Sequence, residues 1–231
     1  MKTAKLNRSM YQTPTTSWPT RGAPTPTTTS VSKTSVLVGV CFLTATFTFA
    51  IGNALIRSYF SSATAHIDLI VGVFLLVCCG LAVAANGASM RRILTPSAPL
   101  RARAYLALRG TECLTLVAVG VYFLTNHAYW NAYVLAVYAV SGVAGLVLSS
   151  ALLTSRIVPR NLSMLGVIGY PVFLLGSVLA MFNLINVTHG AGMLALVIGG
   201  LFELILPIWL FTKGFTSHGS GSSLSAPTAT S

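Results

Sequence analysis

Six apolar runs, each about 20 residues long and separated by short polar or basic stretches, leave this chain few possible folds. About 20 apolar residues in a helix cross the roughly 30 Å hydrocarbon core of a bilayer. Only helices and closed barrels satisfy their own backbone at that depth. The runs lack the period-two alternation of barrel strands, which leaves helices. They are expected near residues 35–56, 67–88, 105–124, 132–154, 164–187 and 191–212. The expected fold class is therefore all-α, a polytopic membrane protein of six transmembrane helices. Hydrophobic residues make up 54% of the chain and charged residues 7%. A water-soluble domain carries roughly a quarter of its residues charged, so a soluble globule is excluded.

The flanks read differently. Residues 1–33 are rich in Thr, Pro and Ser without apolar periodicity, and residues 216–231 are a Ser/Gly-rich stretch. Both are expected to be disordered tails around a domain spanning 34–215. The first flank is too long and polar for the n-region of a signal peptide, so the first span is expected to be a retained anchor.

The basic residues set the orientation. Lys2, Lys5, Arg8, Arg21 and Lys33 precede the first span, Arg91, Arg92, Arg101 and Arg103 fall in the second connection, Arg156 and Arg160 in the fourth, and Lys213 after the last. With six spans and both termini cytoplasmic, all of these lie on one side and only Arg57 lies outside, the positive-inside pattern of a cell inner membrane. Aromatics at Tyr59, Phe60, Tyr129, Trp130 and Tyr133 then mark the outer ends, with Tyr105 and Trp209 near the inner ones. The net charge of +11 is expected to meet anionic lipid head groups rather than nucleic acid, since no compact basic domain exists to bind the latter. The partner is thus the lipid bilayer, and the sequence leaves the oligomeric state open.

Charges inside the spans point most directly to function. The chain holds three acidic residues, Asp68, Glu112 and Glu203, and two of them fall inside apolar runs together with Arg109. An ionisable group at that depth costs a few kcal/mol or more unless partnered, which makes it a functional-site candidate. Arg109 and Glu112 share a helix face by their spacing of three. Counted from Tyr105 they lie roughly 6 and 10 Å into the third span, and Glu203 lies roughly 15 Å from the inner end of the sixth. A cluster of one cation and two carboxylates forms if the third and sixth helices touch. Pro207 has no N–H, so it removes the helical donor of the Glu203 carbonyl, and Pro171 does the same at Val167, one turn before Tyr170. Three readings stay open: an ionic clamp between helices, a solute, ion or proton site, and a general base of a lipid-modifying enzyme.

Other polar positions point less sharply. Cys41, Cys78, Cys79 and Cys113 all fall in apolar runs without ligand spacing, which favours inert buried thiols. His66, Asp68, His127 and His189 sit in separate outer segments and make a poor metal cluster. Asn53, Asn183 and Asn186 fall near outer helix ends, where amides bond across helices. The glycosylation pattern at 186–188 abuts the membrane surface and is read as chance. Ser141, Gly145 and Ser149 form a small-residue stripe for close helix packing. The catalytic motifs HExxH and GxSxG and a phosphate-cradling glycine loop are absent. No cofactor, metal or catalytic residue is assigned, and an enzyme is disfavoured.

The segment Ser155-Arg156-Ile157-Val158-Pro159-Arg160-Asn161-Leu162-Ser163, followed by Leu165-Gly166-Val167-Ile168-Gly169, resembles the signature of an uncharacterised bacterial membrane family, domain of unknown function 4386. Phe202-Glu203-Leu204, Ile208-Trp209-Leu210 and Lys213-Gly214-Phe215 resemble that family's last helix, and Tyr105 with Arg109 and Glu112 its third. The resemblance implies a six-span helical protein with no established activity. It also implies that Arg109, Glu112, Pro159, Arg160 and Glu203 occupy motif positions. Two departures stand out. Relatives often carry an acidic residue and an amide in the second span, where this chain has Leu75-Leu76-Val77-Cys78-Cys79, and the connection after the third span is shorter here. The leading expectation is a small-solute, ion or proton binding or transport protein built on Arg109, Glu112 and Glu203, with Tyr105, Pro207, Arg160 and Tyr170 in support. A membrane scaffold with the charges as a clamp is the alternative, followed by a lipid-modifying enzyme. Weak similarity between the halves speaks against a repeat-built secondary transporter.

Overall fold

With no water in the bilayer core, each apolar run must close its own backbone hydrogen bonds, and it does so as a helix. The computed structural model describes residues 33–62, 65–126, 128, 132–185 and 190–215. They form α1 (Lys33–Ser62), α2 (His66–Leu94), α3 (Pro99–Asn126), α4 (Tyr133–Ser155), α5 (Arg160–Met181) and α6 (Gly190–Thr212), with no strand among them. All 6 helices are long and apolar enough to cross a membrane. Phe74, Leu114, Ile168, Leu175 and Ile208 are exposed along the helix bodies, whereas Asn86, Arg109 and Glu112 are buried. Apolar residues outside and polar ones inside suit a bundle whose solvent is lipid.

The helix ends differ from the sequence expectation in an instructive way. α1, α2 and α3 run for 30, 29 and 28 residues, against 23, 22 and 23 for α4, α5 and α6. At 1.5 Å per residue α1 is roughly 45 Å long, so it tilts or projects beyond the hydrocarbon. Arg91 and Arg92 lie in the last turn of α2, and Arg101 and Arg103 lie in the first turns of α3, so they are helical rather than part of a loop. Ala, Leu and Arg are good helix formers and Pro99 suits the first helical position, so helix continues after the apolar run ends. Arg101 then reaches across to α4, donating from Nη1 to the Ser150 carbonyl (2.9 Å) and to Thr154 Oγ1 (2.8 Å). This adds a cation at the carbonyl end of α4, where the helix dipole favours one.

α5 stops at Met181, short of the expected 187. Asn183 sits at φ 57°, the Leu184 N–H returns to the Leu179 carbonyl (2.9 Å), and the Asn183 N–H returns to the Ala180 carbonyl (3.0 Å). That pair of bonds is a Schellman cap closed by an asparagine in the left-handed conformation. Asn183 thus ends a helix rather than bonding across to a neighbour. Tyr105 and Tyr133, expected at the membrane interfaces, are instead fully buried inside the bundle. Tyr129, Trp130, His127, His189, the 186–188 pattern and both tails lie outside the described residues.

Each helix packs against the next, and α6 returns to α1, which closes a ring in chain order. The Phe215 N–H donates to Ser35 Oγ (3.3 Å), so the two ends of the domain meet at one end of the bundle. α3 and α6 are not neighbours in that ring. The expectation that they touch is corrected, because a ring of six puts them on opposite walls. Two apolar clusters fill the ring. The one at the basic end draws on all the helices, with Val38, Met90, Tyr105, Leu148, Leu162 and Phe202 among its members. The one at the other end, with Ile56, Leu69, Leu76, Leu116, Phe123 and Tyr133, contains residues of α1 to α4 only.

Candidate functional site

Between the two clusters lies a cavity of about 240 Å³ bounded by residues from all six helices, Arg109, Glu112 and Glu203 among them. Counted from Pro99, Arg109 and Glu112 lie roughly 15 and 20 Å along α3, further from its start than the sequence suggested, because that helix begins earlier. Glu203 lies roughly 14 Å from the last residue of α6.

The wall formed by α2, α3 and α4 carries a connected chain of polar side chains. Arg109, 4% exposed, donates from Nη1 to Glu112 Oε2 at 2.7 Å and from Nε to the Tyr105 hydroxyl at 3.0 Å. The Tyr105 hydroxyl donates in turn to Asn86 Oδ1 on α2 at 3.4 Å, a long bond of its kind. The second oxygen of Glu112 accepts a bond from Ser141 on α4. The guanidinium also lies 5.2 Å from the Tyr105 ring centre and 5.9 Å from that of Phe42, within cation–π range. Gly87 makes room for this group, since a Cβ there would sit 2.9 Å from the Arg109 Cβ. Both charges are therefore neutralised and bonded within the wall, which is what keeps a buried ion pair tolerable. Both Glu112 oxygens are taken, so that carboxylate is poorly placed to act as a base.

The opposite wall is less complete. Glu203 on α6 accepts one hydrogen bond, from the Tyr170 hydroxyl on α5, at 3.3 Å. That is long for an O–H to oxygen bond, whose usual length is roughly 2.7–2.8 Å. Tyr170 is held by ring contacts with Phe202 (5.5 Å) and Phe173 (6.4 Å), and its ring fills the space where a Cβ on Gly145 would stand. Pro207 is buried in α6 one turn beyond Glu203 and cannot donate to the Glu203 carbonyl. An aromatic arc continues from this wall, with Phe173 against Tyr138 (5.4 Å) and Tyr138 against Phe49 of α1 (5.7 Å). Tyr133 of α4 donates to Asn53 of α1 (2.6 Å).

Of the residues singled out from the sequence, Arg109, Glu112 and Glu203 line the cavity, with Tyr105 and Tyr170 bonded directly behind them. Arg160 does not join them. It is the exposed first residue of α5, at the basic end. Asn86 and the bond from Ser141 were missed. Asn86 supplies an amide to the second span, further along than the stretch 75–79 where one was sought. Its signal was available as a lone asparagine within an apolar run. Ser141 was read only as part of a packing stripe, yet it turns to Glu112 while Gly145 and Ser149 face α5. Cys79 lines the cavity, and all four cysteines are free. No group of three His, Cys, Asp or Glu able to hold a metal occurs among the described residues.

No curated protein matches this chain, and no solved structure does either. The family comparison does give a match, and it bears out the resemblance read from the last spans. It takes in Ser141, Tyr170, Glu203 and Pro207 and leaves Tyr105, Arg109 and Glu112 outside. From the last part of α3 through the end of α6, residues 117–214 match the model of the family described as "Domain of unknown function (DUF4386)".

Proposed function

We propose that this multi-pass protein binds, and by binding moves or senses, a small solute in the cavity at the centre of its helix ring. One observation carries the reading. Both oxygens of Glu112 accept hydrogen bonds from their own wall, whereas Glu203 faces the cavity with a single long one. A carboxylate short of partners in apolar surroundings costs free energy that a bound solute would recover. Arg109 and Glu112 act in this reading as the clamp that holds α2, α3 and α4 around the site. The connected chain from Asn86 to Ser141 favours that role and does not by itself require a ligand. The basic residues gathered at one end of the bundle support a location in a cell inner membrane with that end cytoplasmic, against anionic head groups.

Cys79 offers a native reporter for the test. In the full chain with Cys41, Cys78 and Cys113 changed to Ala, reconstituted in lipid nanodiscs at alkaline pH, methyl methanethiosulfonate should modify Cys79 slowly, as a buried thiol reacts. Gly200 also lines the cavity, and a Cβ there meets no atom within 4 Å. Gly200→Phe should therefore fill the space, protect Cys79 and leave the melting temperature unchanged or raised. Only the thiolate reacts, so the comparison between variants is what decides: a measurable Cys79 reaction that runs equally fast in Gly200→Phe would rule the cavity out as a solute site.

A further inference from the structure

We infer that the solute is a small organic cation, an ammonium head on an apolar body, with Glu203 as its counter-ion. This rests on the cavity being a binding site and adds the class of molecule that fits it.

Charge comes first. Arg109 pairs with Glu112 at 2.7 Å, so the ionised cavity, with two carboxylates and one guanidinium, carries one net negative charge, and Glu203 is the carboxylate without an ion-pair contact. An anion could reach only the remaining N–H groups of a guanidinium already paired with Glu112, with a second carboxylate on the facing wall. A cation meets an under-bonded carboxylate instead.

The wall chemistry then separates organic from inorganic cations. Hard metal ions call for several oxygen ligands from carboxylates, carbonyls or water. Here both oxygens of Glu112 are committed and no metal-holding group forms among the described residues. Aromatic side chains form one part of the remaining lining. Phe49, Tyr138 and Phe173 make a continuous arc from α1 through α4 to α5, and Phe42 lies on the cavity wall beside Arg109. Ring faces carry negative charge density, so they attract an ammonium group and its polarised methylenes and repel an anion, while the apolar body gains contact. Size agrees. A volume of about 240 Å³ falls just under the roughly 300–1,000 Å³ of pockets that take drug-sized ligands, which suits a compact amine.

Three probes of one shape test the class: 2-phenylethylamine, protonated at neutral pH, neutral 2-phenylethanol and anionic phenylacetate. Each is titrated calorimetrically into the full chain in nanodiscs. The amine is expected to bind at least about tenfold more tightly than the other two, and Glu203→Gln to weaken it by at least about tenfold, the size of one charge-assisted contact. Tyr138→Leu keeps every charge and removes a ring face, so it should weaken the amine and leave 2-phenylethanol little changed. It also serves if Glu203→Gln fails to insert. Equal or stronger binding of 2-phenylethanol or phenylacetate, lost in Gly200→Phe, would overturn the cation assignment while leaving the cavity a binding site. Silence from all three probes overturns it as well, and if Cys79 also reacts equally fast in Gly200→Phe the site itself is removed.

Discussion

Arg109 and Glu112 sit three residues apart on one helix, yet their stability is decided by residues on two others. Replacing Arg109 with Leu leaves Glu112 buried with only Ser141 and leaves Tyr105 without its donor. Breaking a buried pair from one side costs about 3 kcal/mol or more, whereas replacing both partners with apolar groups is often close to neutral. Arg109→Leu should accordingly lower the unfolding free energy in detergent by about that amount, and adding Glu112→Leu should restore most of it. Two equally destabilised variants would show that the pair does more than clamp. The pairing itself was legible in the sequence, because a spacing of three puts two side chains on one helix face. Asn86 and the role of Ser141 were not. A residue opposite on another helix is chosen by packing, and spacing along one helix carries no information about it.

At the scale of helices, apolar length located every span, and what misled was where each one stops. Residues 99–104 carried α3 six residues beyond the expected start of the apolar run at 105, so Arg109 lies further from the helix start. The end of α5 has another cause. Apolar residues continue past Met181, but the chain turns at Asn183, whose positive φ costs an ordinary side chain about 1–2 kcal/mol. Asn183→Gly should therefore melt with the parent protein, while Asn183→Val should lose about 1–2 kcal/mol of stability in detergent. An unaffected Val variant would mean that this cap does not hold the helix end.

At the scale of the whole molecule, an even number of spans fixes both ends on one face, and the structure joins them through Ser35 and Phe215. Which face that is follows from charge. With the native cysteines replaced, Ser97→Cys should react with a membrane-impermeant maleimide in inverted vesicles and not in spheroplasts, and Asn126→Cys should do the reverse. Labelling of position 97 from outside would turn the molecule over. The sequence did not reveal that α3 and α6 stand on opposite walls, because composition fixes the number of helices and not their order around an axis. The meeting of the first and last helices has a topological consequence. A chain joined from Phe215 to Lys33 and opened in the 95–98 connection, on the same face, would keep all six helix directions and every neighbouring pair. The helices would enter the membrane in a different order and arrive at the same ring, so circular permutation separates the order of synthesis from the architecture it produces.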